Sequence, residues 1–304
     1  MAPRLRSTRR REREVLNAGP VNVRGLPALP AELLREIVSH TTTAPIPYST
    51  HRAIPVECLE RNTTLRTLSQ LCRSLRNALL PVLWERIEAC TTTTVGIITS
   101  GLRQPRWFKD IATDLVAQLE TVTIREPSLA TYVRTVNVLI TPFSADTVLA
   151  ELARCLALMP NLHTVQITNF HRYISTTSDR RHYGRGVSIT ELYRDAFLGY
   201  RFPSVQRIVL PLSAKVLLPC FPEARIVYMN EQSPRVLWDD RSYCGLQIYV
   251  EELASHCQKV ESFAWNGDDS TPPTVKSRVY QMLPGLRRVR MSSAHETPES
   301  ISSL

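Results

Sequence analysis

The chain has 304 residues, an apolar fraction of 43% and a formal net charge of +9. That length allows roughly two domains or one extended array, and the composition suits a folded protein rather than a low-complexity one. No run of about 18 apolar residues occurs, and the N-terminus lacks the apolar stretch of a secretory signal, so the expectation is an intracellular protein, cytoplasmic or nuclear, with no membrane partner.

Charge is uneven along the chain. Residues 1–24 hold seven arginines against two glutamates, a surplus of +5, which leaves +4 for everything downstream. The stretch "RLRSTRRRERE" reads as a basic disordered arm over 1–25. A solvated tail fits it, and so does a binder of nucleic acid, anionic lipid or an import receptor.

The first predicted element is "LPAELLREIVSH", 29–40. Pro30 sits where the first helical turn tolerates a missing N–H. Leu33 and Ile37 fall four apart, and Leu34 and Val38 four apart beside them, so the helix carries two adjacent apolar stripes. One stripe is enough to dock it on a domain. Three prolines and a threonine run then make 41–62 an exposed loop, unusual within a compact domain.

Periodicity resumes at "TTLRTLSQLCRSLRNALLPVLWERIEAC". Leu65, Leu68, Leu71, Cys72 and Leu75 follow helical spacing, with Asn62 or Thr63 as the cap. Pro81 is expected to interrupt, and Leu83, Trp84 and Ile87 to form a patch on a last helix. Three short helices are too few to build a strong core alone.

These residues carry a resemblance. "LPAELLREI", "LRTLSQLCRSLRNALL" and "LPVLWERI" together resemble the F-box in the version common in basidiomycete fungi. Leu29, Pro30, Glu32, Leu33 and Ile37 match its opening, and Leu68, Cys72 with Arg73, Leu83 and Trp84 match the remainder. Two departures stand out: Leu75 occupies a place where many F-boxes have tryptophan, and the 41–62 loop is longer than usual. The resemblance covers 26–90. It implies a three-helix domain that gives much of its apolar surface to the Skp adaptor subunit of a cullin ubiquitin ligase. The Skp-binding residues so implied are Leu29, Pro30, Leu33, Leu34, Ile37, Leu68, Cys72, Leu75 and Trp84.

Beyond it, 91–304 repeats a phrase. "MPNLHTVQI", "FPSVQRIVL", "FPEARIVYM" and "LPGLRRVRM" share an apolar residue, a proline and, after four intervening residues, an alternating apolar step. "CQKVESFAW" and "ATYVRTVNV" do so without the proline. Amphipathic helices precede several of them. One has Ser144 as cap, with Val148, Leu149, Leu152, Leu156 and Met159 on one face. A second has a capping box, Ser188 with Glu191. A third has Thr271 followed by proline. Helix, turn and short strand in repetition predict an irregular α/β solenoid. It resembles the degenerate leucine-rich repeats that often follow fungal F-boxes, although the prolines at 160, 203, 222 and 284 are unevenly spaced and the regular repeat's asparagine is missing. The expected fold is therefore α+β, a three-helix F-box followed by a leucine-rich-repeat-like solenoid.

Little points to catalysis. There is no G-x-S-x-G elbow and no Gly-rich phosphate loop. His256 and Cys257 are helix neighbours about 100° apart and do not face each other. The acid pairs Asp239–Asp240 and Asp268–Asp269 read as loop solvation or helix caps. Seven scattered cysteines without a C-x-x-C predict buried free thiols rather than zinc or disulfides. No metal, cofactor or enzymatic activity is expected.

Function is then expected in recognition. With Val165 and Ile167 inward, strand alternation turns Gln166, Val209, Tyr228, Ala264 and Arg290 toward the opposite face as a mixed protein-binding surface. The polar stretch 171–188 supplies Arg172, Tyr173, Arg181 and Tyr183, residue types suited to an acidic or phosphorylated client segment. The resemblance implies a substrate adaptor of a Skp–cullin–F-box ligase. A non-ligase F-box scaffold and a nucleic-acid binder acting through the arginine-rich arm are the alternatives. The scarcity of lysine, four against 33 arginines, fits a coding bias, or a ligase subunit that avoids its own ubiquitination.

Overall fold

The structure, a computed structural model, describes residues 29–40, 56–89, 106–169, 188–230, 240–266 and 273–292. The chain divides into two compact units, Met1–Thr43 with Glu57–Leu83, and Ala44–Val56 with Trp84–Leu304. In this division the helical segment of the first unit ends at Leu83.

The first unit has three described helices, α1 (Ala31–Ser39), α2 (Val56–Leu71) and α3 (Arg73–Leu83). Pro30 precedes α1 in an extended conformation and its carbonyl accepts the Leu34 N–H at 3.1 Å, so the missing proline N–H costs nothing. Leu34 and Val38 of α1 join Leu65, Leu75 and Leu79 in a small core, with Leu29, Leu68, Cys72, Ala78, Val82 and Leu83 partly buried against it. Burying a side chain of this size contributes about 1.5–3 kcal/mol, so five of them make a modest core.

Three sequence expectations are corrected in this region. The second helix starts at Val56, not at Asn62 or Thr63, because nothing from Val56 onward breaks a helix once the prolines have passed. Pro81 lies inside α3, two residues from its end; there it removes one backbone bond of a nearly finished helix and does not stop it. Ile87 is not helical: Arg86–Ala89 is the first strand of the second unit.

That unit contains β1 (Arg86–Ala89), α4 (Arg106–Glu120), β2 (Thr135–Ile140), α5 (Ala145–Leu156), β3 (Thr164–Asn169), α6 (Ile189–Phe197) and β4 (Arg207–Leu210). It continues through a 3₁₀ segment (Leu212–Cys220), β5 (Ile226–Met229), α7 (Asp240–His256), β6 (Ser262–Asn266), α8 (Pro273–Met282) and β7 (Arg288–Ser292). The seven described strands form one all-parallel sheet in strict chain order. The fold is therefore mixed α/β. From α4 to α8, each helical segment packs against the next, giving a helical layer in the same order as the strands.

The repeated phrase has a mechanical meaning. In "MPNL", "FPSV", "FPEA" and "LPGL" the first carbonyl accepts the N–H three residues on: Leu162 to Met159, Val205 to Phe202, Ala224 to Phe221 and Leu286 to Leu283, at 3.0–3.3 Å. Each is a β-turn with proline second, where its locked φ is preformed. Just after the turn, one carbonyl takes two N–H groups from the next unit. Glu85, Arg134, His163, Gln206, Arg225 and Glu261 do this in succession, which sets the register of every strand.

Uneven proline spacing follows from the crossovers. Between β4 and β5 the connection is the nine-residue 3₁₀ segment Leu212–Cys220, whereas the others described use α-helices. Ser188 and Glu191 form the expected capping box, the Ser188 side chain accepting the Glu191 N–H and the Glu191 carboxylate accepting the Ser188 N–H at 2.8 Å. Ser144 does not cap as expected. Its backbone is left-handed, with φ 48°, and its side chain makes no cap bond; Thr147 Oγ1 instead donates to its carbonyl at 2.9 Å. Pro273 opens α8, and Thr271 lies outside the described residues.

Candidate interaction surfaces

Two surfaces were expected to carry function, one in each unit. On α1 the two apolar stripes separate. Leu34 and Val38 are core, while Leu33 and Ile37 stand 50% and 47% exposed. Helical geometry forces this, since neighbouring positions point about 100° apart and a single packing partner covers one stripe only.

The other residues assigned to Skp binding are scattered in exposure. Leu75 is buried, as is Leu34, so neither offers a free surface; both are spent on the unit's own core. Leu29, Leu68 and Cys72 are half-buried, and Pro30 is exposed. Trp84 is half-buried in the turn ahead of β1 and falls in the second unit. The expected stripe Leu65–Leu68–Leu71–Leu75 is not continuous. The helix breaks at Cys72; beyond it Leu75 and Leu79 turn inward, while Leu71, about 240° round its own helix from the buried Leu65, is left 65% exposed. Leu71 was missed as a surface residue; its six-residue offset from Leu65, which turns it away from that side chain, is the signal that could have found it.

In the second unit the expected row exists. Glu88, Asn137, Gln166, Val209, Tyr228, Ala264 and Arg290 are in direct register across all seven strands, so Tyr228 and Arg290 share one face. Its expected exposure is corrected at the centre: Gln166, Val209 and Tyr228 are buried, Tyr228 to 4%. Alternation decides which face a side chain takes, not whether that face meets water. Ala264 is half-buried and Arg290 exposed. At the β1 end, Arg86 Nε donates to Glu88 Oε1 at 2.7 Å, and Gln118 Nε2 donates to the Glu88 carbonyl at 2.9 Å. Near the centre, the buried Gln166 Oε1 accepts no hydrogen bond from the described residues. Arg172, Tyr173, Arg181 and Tyr183 lie outside the described residues, as do the pair Asp268–Asp269 and Asp239.

The thiols are quiet. Cys155, Cys220 and Cys257 are free and buried, and burial pushes them up to about 11, 11 and 12. Cys257 Sγ donates to the Phe221 carbonyl at 3.4 Å, while His256 turns to Glu252 at 3.4 Å, so the pair is not a dyad. Beside Cys155, the Arg154 guanidinium holds the Glu151 carboxyl below its ordinary value through a 2.5 Å contact. A thiol kept protonated in this way is a poor nucleophile. Among the described residues, no three His, Cys, Asp or Glu side chains are placed to hold a metal ion, and no helix is long and apolar enough to cross a membrane.

The chain matches no protein-family model, and no curated protein matches it.

Proposed function

We propose that the chain is a substrate-recognition adaptor of an intracellular Skp–cullin–F-box ubiquitin ligase. The N-terminal helices take the place of the F-box and bind the Skp adaptor, and the strand array serves as an irregular leucine-rich-repeat-like solenoid that holds a protein client. The observation that carries the reading is the pair Leu33 and Ile37, two large apolar side chains one turn apart and half exposed. A helix that already buries Leu34 and Val38 gains nothing for its own unit from a second stripe, whereas a partner groove does. Pro30 and Leu71 are exposed as well. Cys72 and Leu68 pack, partly buried, against the core that holds Leu34 and Leu75, and Leu34 and Leu75 act through the fold, not through contact.

The test is co-expression of the full chain with the Skp adaptor. The parent protein should recover the adaptor stoichiometrically, and cullin with it. Leu33→Asp with Ile37→Asp leaves a charge unpaired in the interface, which costs several kcal/mol, and should abolish recovery without unfolding the chain, because both positions face water. Undiminished recovery by the double variant overturns the assignment. Recovery of the adaptor without cullin replaces the ligase with a scaffold.

A further inference from the structure

We infer that β7 is a docking edge for an extended acidic peptide, which adds to the sheet as an eighth strand. This surface lies wholly within the second unit and does not depend on what the N-terminal helices bind.

The two ends of the sheet differ at matching positions. In the row that runs from Ile87 through Val136, Val165, Ile208, Val227 and Phe263 to Val289, the first six residues are at most 1% exposed. Val289 alone is half-buried. On the opposite face, the β1 end carries Arg86 and Glu88, which neutralise each other at 2.7 Å. The corresponding residues of β7 are Arg288 and Arg290, both exposed and, among the described residues, without an ion pair. Residues 273–292 contain five basic side chains, Lys276, Arg278, Arg287, Arg288 and Arg290, and no acidic one. Of the described ion pairs only the 3.8 Å contact of Arg287 with Glu261 offsets any of this charge.

The backbone supplies the second half of the site. Among the described residues β7 is the last strand in the sheet. Arg288 donates its N–H to the Glu261 carbonyl at 3.0 Å, so by the alternation of a parallel ladder the N–H and C=O groups of Val289 and Met291 point away from β6. Such an edge is a template for an added strand. Another copy of the same edge is disfavoured, because like charges directly opposite destabilise a pair. An incoming strand with carboxylates at alternate positions meets Arg288 and Arg290, whose spacing along the strand is about 7 Å. The apolar residues between its carboxylates then fall on the face of Val289. A nucleic acid would satisfy the charge, but not the alternating backbone groups or the open apolar row.

The experiment measures fluorescence anisotropy of labelled probes on the full chain. The probes are a peptide alternating Glu with Val, its isomer with all Glu in one block, a peptide alternating Lys with Val, and a single-stranded oligonucleotide. The alternating acidic peptide should bind most tightly. Arg288→Glu with Arg290→Glu should transfer the preference to the Lys peptide. Val289→Pro, which deletes an outward N–H and spares the ladder, should weaken the acidic peptide roughly tenfold with no change of charge. No binding of the acidic peptide, equal binding of the block isomer, or tighter binding of the oligonucleotide each overturns the proposal.

Discussion

In the strand array, six successive residues of one row, from Ile87 to Phe263, are closed off from water. On α1, two apolar pairs divide, Leu34 and Val38 inward and Leu33 and Ile37 outward. The array can absorb its apolar residues because each strand is flanked by another and backed by a helical layer. A unit of three short helices has no such depth, and what it cannot bury remains available to a partner. The same contrast recurs inside the sheet, where the β1 end is sealed and self-neutralised and the β7 end is half open and basic.

The sharpest way to break this comparison is to truncate one side chain of each kind. Phe263, fully buried and in ring contact with Tyr249 and Trp265 at centroid distances of 6.2 and 5.4 Å, should cost about 3–5 kcal/mol as Phe263→Ala. Ile37→Ala should stay within about 0.5 kcal/mol of the parent. Thermal or urea unfolding of both variants reads the difference, and a large loss at Ile37 would place it in the core.

A smaller effect concerns the thiols of the array. Their folded-state values lie above the ordinary thiol value, so the folded protein holds these protons more tightly than the unfolded chain. The associated stability is complete below the unfolded-state value near 9.0 and is lost progressively as pH rises toward 11–12. Urea unfolding at pH 8 and pH 10 should show the decline, and Cys155, Cys220 and Cys257 should resist alkylation at pH 8 until denaturant is added. Rapid alkylation of the native protein at these three would contradict their burial.

The smallest is local. Ser188→Ala removes the acceptor for the Glu191 N–H and should cost about 1 kcal/mol, with Ser188→Thr largely restoring it. A loss near zero would mean that α6 is held by packing alone through Ile189, Tyr193 and Phe197.

The array was legible in the sequence to the extent that its signals are local. A proline in second place marked four turns, and a two-residue apolar alternation marked the strands that follow. The same alternation put Gln166, Val209 and Tyr228 in one row. It carried no information on cover, and all three are buried. The stretch "LWERIEA" was harder because Leu83, Trp84 and Ile87 suit a helical period while Ile87 and Ala89 suit a strand. Pairing with β2, a contact across some fifty residues, decides it, and no local period reports that. At Cys72 the helical period continues in the sequence although the helix breaks, so Leu71 and Leu75 were placed on one face and lie on opposite sides of the burial divide. The Skp-binding set was taken from the F-box resemblance, not from a local period. Its members divide between core and water, and only tertiary packing divides them.

The central claim is that the outward stripe of α1 is an interface. Hydrogen–deuterium exchange of the full chain, with and without purified Skp adaptor, tests it most directly. The account predicts new protection across 29–40, with the strands of the array unchanged, and loss of that protection in the Leu33→Asp, Ile37→Asp variant. Unaltered exchange across 29–40 at saturating adaptor would contradict it.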